Sequence, residues 1–181
     1  MVKNLSDEQL MINVKAGDLD ALSPLFEKYH VKLFNFFLRM IRNRDISQDL
    51  TQEVFRRILK YRETYDEKWM FRSWMYQIAR NVQMQQYSQE KIRFSDYHEA
   101  EEIKEEQLSA IEEMEQESRN KALYEAMALL SEEQREIIEL ARFQGLKYQE
   151  ISKITGNSVP AIKVKVHRAI KKLRELYFET V

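Results

Sequence analysis

Apolar residues recur with the period of a helix along most of this chain. Leu25, Phe26, Tyr29, Leu33, Phe36, Phe37, Met40 and Ile41 follow i, i+3, i+4 spacing, which gathers side chains on one face of a 3.6-residue helix. Ser23 and Pro24 suit its N-cap and first helical position, and Asn43-Arg44-Asp45 reads as the turn after it. Leu50, Val54 and Ile58 then recur every fourth residue, predicting a second helix to about Tyr61. Tyr61 to Lys68 is polar and aperiodic, a loop with Tyr65 and Trp69 at its end. In the next helix Phe71, Trp74, Ile78 and Val82 share one face, while Arg72, Tyr76 and Arg80 stack on another. That second face, an aromatic between two cations, is expected to be exposed.

The C-terminal third has the same period with sharper punctuation. Leu123, Met127 and Leu130 precede Ser131, and Gln134 three residues on completes a capping-box pattern. The helix it starts runs through Ile137, Ile138 and Ala141 to about Phe143, and Gly145 ends it. Tyr148 to Ile154 forms a short helix, and Gly156-Asn157-Ser158 a turn whose serine can cap a last helix with Pro160 in its first turn. On that helix Ile162, Val166, Ala169, Ile170, Leu173 and Tyr177 lie within about 100° of arc. Lys163, Lys165, Arg168, Lys171, Lys172 and Arg174 occupy the opposite arc.

Two short helices around a turn, the last one basic, is the layout of a helix-turn-helix. Ile151 to Arg174 holds seven cations and no acid, a face suited to phosphates. Side chains near the start of such a helix reach base edges. Val164, apolar in the middle of the polar arc, suits a thymine methyl, and His167 could hydrogen-bond a base.

Composition narrows the classes. With 3 Gly and 2 Pro in 181 residues, a fold of many short strands is excluded and an all-α fold is expected. The absence of cysteine removes disulfides, thiolate zinc sites and cysteine nucleophiles. His30, His98 and His167 show no metal or triad spacing. Asp49 and Glu53, one helical turn apart, have no matching ligands elsewhere and read as a protein-contact face, a plain Glu53–Arg57 surface pair being the simpler alternative. No catalytic residue, metal, cofactor or small-molecule substrate is expected.

Charge divides the chain. Residues 1–98 carry 16 basic and 13 acidic side chains, 99–118 carry 1 and 9, and 119–181 carry 12 and 8. Two small helical domains, 1–95 and 119–181, joined by an acidic linker over 96–118, are therefore expected. The first ten residues lack a basic start and an apolar run, and no stretch of about 18 apolar residues occurs, so the expected location is cytoplasmic.

Five segments carry a family resemblance. Gln134 to Ile138, Gly145 to Ile151 and Ser158 to Leu173 resemble the promoter-binding domain of extracytoplasmic-function sigma factors. Ser47 to Phe55 is similar to that family's polymerase-docking helix, and Trp74 to Asn81 to its helix beside melted promoter DNA. The resemblance implies that Asp49, Gln52, Glu53 and Phe55 contact RNA polymerase. It implies that the loop Tyr61 to Met70, with Tyr65 and Trp69, captures an unstacked base of the −10 element. Phe71, Arg72, Tyr76, Arg80 and Asn81 would line the melted strand, and Ser158, Lys163, Val164, Lys165, His167, Arg168 and Lys171 would meet −35 duplex. Core polymerase, promoter DNA and an anti-sigma factor, often membrane-anchored, are the implied partners. The chain departs from the family at Ser131, Pro160-Ala161, Val164 and Gln77, and Ala161 lacks the hydroxyl that a threonine would offer a phosphate. Two rival readings are a stand-alone DNA-binding regulator and a helical protein that binds only other proteins.

Overall fold

A computed structural model describes residues 5–94 and 121–180. Among these residues every regular element is helical, as the shortage of turn formers requires. The linker 96–118 and His98 lie outside the described residues.

Helix α1 (Asp7–Lys15) opens with a capping box in which Ser6 Oγ accepts from Gln9 N at 3.2 Å and Gln9 Oε1 accepts from Ser6 N at 3.0 Å. The apolar spacing of the sequence predicts no helix here. The helix lies across the domain, burying Met11 and Val14, with Glu8 Oε1 accepting from Phe71 N and Lys15 Nζ donating to Tyr65 O.

Helix α2 (Leu22–Ile41) buries Leu25, Tyr29, Leu33, Phe36, Phe37 and Met40. Its N-cap is Ala21, without a side-chain bond, so Ser23 and Pro24 sit inside the first turn rather than at the cap. Asn43 Oδ1 accepts from Ile46 N and starts α3 (Arg44–Lys60), which buries Leu50, Val54, Phe55 and Ile58 against α2 and α4. Helix α4 (Phe71–Phe94) turns Phe71, Met75, Ile78, Ala79 and Val82 inward.

In the C-terminal half, α5 (121–128) leads to α6 (Glu132–Ile138), whose Ser131–Gln134 capping box forms as expected. The helix continues as a π-turn segment, Glu139–Phe143, with Gln144 N bonded to Glu139 O. Helix α7 (Tyr148–Thr155) ends at Gly156, whose φ of +74° is the left-handed conformation that glycine adopts without strain. Helix α8 (Val159–Thr180) follows directly, burying Ile162, Val166, Ala169 and Leu176 against α6 and α7. The two halves touch along two seams, α2 against α6 and the π-segment, and α4 against α7.

Candidate nucleic-acid interface and the contact between domains

The short turn at Gly156 swings α8 out so that one side packs on α6 and α7 while the other meets solvent. Lys163, Val164, His167, Arg168 and Lys171 are all exposed, Val164 at 48%. Lys165 departs from this set. Its ammonium is held on the flank of α8 by Glu133 at 2.5 Å and Asn157 Oδ1 at 2.9 Å. Two residue steps of about 100° each put it almost opposite Lys163. Ser158 caps the helix, its Oγ accepting from Ala161 N at 3.4 Å.

A groove of about 630 Å³ runs along the exposed side, lined by Lys163, His167, Lys171, Arg174, Arg142 and Tyr148. Arg142 comes from the π-segment and Tyr148 from the start of α7. Arg142 was not singled out from the sequence, because it precedes the acid-free run and has no periodic neighbours of its own charge. Its position between Glu139 and Gln144, which face inward, is set by the π-turn.

The other predicted DNA face is folded inward. Arg72 gives a two-pronged contact to Glu150, Nε at 2.9 Å and Nη2 at 2.7 Å, and Ser73 Oγ donates to the same carboxylate at 2.9 Å. Arg80 Nε donates to Glu136 at 2.7 Å. The Tyr76 hydroxyl donates to Gln144 Oε1, and the ring is only 2% exposed. Sequence periodicity placed these three residues on one face correctly, but that face meets the C-terminal domain instead of water.

A third pair closes the other seam. Arg39 donates both Nε and Nη2 to Glu139 at 2.7 Å, and Gln144 Nε2 adds a third bond to a carboxylate with no solvent exposure. Phe143 lies over the Arg39 guanidinium, 4.3 Å from ring centre to Cζ. Arg135 donates to Met40 O at the end of α2 and to Met127, Ala128 and Leu130 O in its own domain. The acidic partners feel these surroundings differently. Burial alone would raise the Glu150 carboxyl, but bonds from Arg72, Lys147 N and Ser73 outweigh it and hold the group below its usual range. Burial pushes Glu136 and Glu139 upward despite their arginine partners.

The predicted loop residues divide. Tyr65 is 1% exposed, its hydroxyl donates to Trp69 O at 2.8 Å, and burial pushes it up to about 12. Phe71 is fully buried. Both are core residues in this conformation, whereas the resemblance implies that they touch −10 DNA. Trp69 is half-buried, with Lys153 of α7 5.2 Å from its ring centre, and Asn81 is exposed. Trp74 packs at the edge of the core as expected.

On α3, Asp49 and Gln52 are exposed and Glu53 is bonded to Arg56 and Arg57, the latter at 2.7 Å. Phe55 is buried at 6% exposure, tilted against Phe26. Its ring supports the helix from beneath. His30 Nδ1 pairs with Phe26 O at 2.9 Å, a satisfied surface histidine as expected. Among the described residues no cluster of three metal-ligating side chains occurs, and no helix is long and apolar enough to cross a membrane.

Residues 25–92 match Sigma-70 region 2, and residues 120–173 match Sigma-70, region 4. The chain is 28% identical to RNA polymerase sigma factor CarQ of Myxococcus xanthus, covering 93% of this chain and 96% of that protein. It is also 28% identical to ECF RNA polymerase sigma factor SigX of Bacillus subtilis, covering 83% and 80%. The chain belongs to the sigma-70 family, in its extracytoplasmic-function branch. The sigma-factor fold is matched by the RpoE chain solved in complex with the anti-sigma factor NepR from Bartonella quintana, with a TM-score of 0.68 and 23% identity over 86% of this chain and 95% of that one. Sigma factors direct promoter-specific transcription initiation, and this one does so with a fold whose two family regions touch each other.

Proposed function

We propose that this sigma factor meets its targets through three faces, two of them open in the structure and one closed. Asp49, Gln52 and Glu53 on α3 dock on core RNA polymerase, with Phe55 holding the helix from below. Lys163, Val164, His167, Arg168 and Lys171 on α8 face the −35 duplex, with Lys163, Arg168 and Lys171 neutralising phosphates and Val164 and His167 reading base edges. Ser158 orders the start of that helix, and Lys165 joins the contact only on leaving Glu133. Trp69, Arg72, Tyr76, Arg80 and Asn81 receive the melted −10 strand once the two halves separate, and Tyr65 and Phe71 hold the loop and helix that present them. A cationic groove with aromatic stacking surfaces is what an unpaired strand needs.

The observation that carries this reading is the outward face of α8, acid-free from Val159 to Arg174, within a family-matched region 4. The units 1–95 and 119–181, with 96–118 between them, act as separate grips whose combined hold depends on being set at the right distance. The protein works in the cytoplasm, performs no covalent chemistry, and is restrained by an anti-sigma factor, the partner named for the RpoE chain of similar fold.

The test is reconstitution with bacterial core polymerase and a promoter library. Specific initiation that requires this chain and is lost on Asp49→Lys with Glu53→Lys supports the reading. Stable duplex binding with no polymerase association would replace it with a stand-alone regulator.

A further inference from the structure

Helix α1 lies ahead of the segment that matches Sigma-70 region 2, yet its two ends hold the loop assigned to −10 capture. Lys15 Nζ donates to Tyr65 O at 2.7 Å, just past the short turn Arg62–Thr64, and Glu8 Oε1 accepts from Phe71 N at 3.1 Å, where α4 opens. As the first residue of α4, Phe71 has no carbonyl within the helix for its N–H, and the Glu8 carboxylate satisfies it from outside. Glu8 and Lys15 stand two helical turns apart on the side of α1 that buries Met11. The helix is itself fixed to α2, because Asp7 accepts from Lys28 Nζ at 2.8 Å and from the Tyr29 hydroxyl. Between the two held positions Asp66, Glu67, Lys68 and Met70 are exposed and Trp69 is half-buried. This stretch packs little of its own surface and takes its course from its ends. The Tyr65 hydroxyl donates to Trp69 O at 2.8 Å, which carries the hold of Lys15 on to the loop's tryptophan.

We infer that α1 is a positioning element for −10 recognition, with Lys15 and Glu8 setting where Trp69 stands when the unpaired base arrives. Both act at one remove from the DNA. Lys15 acts through Tyr65, and Glu8 acts through the first turn of α4, which carries Arg72. A stacking surface contributes its full share only when supporting residues hold it at the right height and tilt beside the strand. A loosened loop therefore loses selectivity before the domain loses its fold. The inference rests on the reading that Trp69 receives the melted strand.

The experiment reconstitutes the full chain with bacterial core polymerase and transcribes a promoter library randomised at the −10 and −35 positions, scoring base preference at each. The variants are Lys15→Met, Glu8→Ala, Lys15→Arg, Glu8→Gln and Trp69→Ala, each checked by thermal melting. The expected result is a preference about fivefold flatter at the captured −10 position in Lys15→Met and Glu8→Ala, the share of one stacking contact, with the −35 preference native. Lys15→Arg keeps a donor and Glu8→Gln a carbonyl acceptor, and both should restore the native profile. Lys15 is exposed, so Lys15→Met carries the test if Glu8→Ala melts early. A native −10 profile in the α1 variants, with the profile flattened in Trp69→Ala, overturns the proposal and leaves the loop reading intact. A native profile in all five overturns both. Output that falls equally at every promoter in the α1 variants, with both profiles native, assigns α1 to stability alone and also overturns the proposal.

Discussion

The carboxylate of Glu150 takes two hydrogen bonds from the Arg72 guanidinium across the contact between the two domains. Only one member of this pair stands on the face assigned to DNA, so substitutions at the two positions separate two roles. Glu150→Gln should weaken the closed arrangement by about 3 kcal/mol, the typical cost of stripping a partner from a poorly exposed ion pair, while leaving Arg72 free for a strand. Arg72→Ala should open the chain equally but weaken strand capture. Small-angle scattering for the opening, and binding of single-stranded −10 DNA in the presence of polymerase, distinguish them. Equal strand binding by both variants would remove Arg72 from the strand contact.

The same carboxylate sets a pH dependence. Its range is lowered in the closed protein, so its contribution is fully present above the ordinary carboxylate value of about 4.3 and is lost as the pH falls through the lowered one. Glu136 and Glu139 are shifted the other way by burial, so ionising them opposes folding and acid relieves that opposition. The difference in urea midpoint between the native chain and Glu150→Gln should therefore be full at neutral pH and shrink in acid below that value. A constant difference across the titration would contradict the assignment.

Arg142 and Val164 should fail in opposite ways when truncated. Arg142→Ala should weaken −35 duplex binding for all sequences alike and reduce the salt slope by about one unit, the signature of one lost phosphate contact. Val164→Ala should leave the salt slope alone and relax the preference at a single base pair, by about 1 kcal/mol or more if a thymine methyl is lost. Titrations at several salt concentrations on two duplex sequences read both effects.

Tyr65 offers a check on the division of the loop. A side chain 1% exposed and bonded to Trp69 O should, on Tyr65→Ala, cost about 3–5 kcal/mol of stability. Trp69→Ala should cost less in stability and more in strand binding. Thermal melts alongside single-strand titrations test the contrast.

The course of α8, its buried and open sides and the Ser131–Gln134 capping box can be read from residue spacing, because each is decided within a few positions along the chain. Helix α1 hides in a segment that stands out in the sequence only for lacking a basic start and an apolar run. Its order comes from Ser6 and Gln9 at one end and from contacts with Tyr65 and Phe71 far along the chain. The closed seam escapes for the same reason. Arg39, Arg72 and Arg80 meet Glu139, Glu150 and Glu136 at separations of 100, 78 and 56 residues. Periodicity identifies a face, and it cannot distinguish a face that meets water from one that meets another domain.

In all three of those pairs the cation belongs to the N-terminal half and the carboxylate to the C-terminal half. For Arg72 and Arg80, exchanging the closed partner for a promoter strand would replace one anion with another, carboxylate with phosphate, and neither guanidinium would need to lose its counter-charge for long. Opening then becomes an ion exchange at a fixed cationic site, with the C-terminal domain as the resident ion and the melted strand as the incoming one.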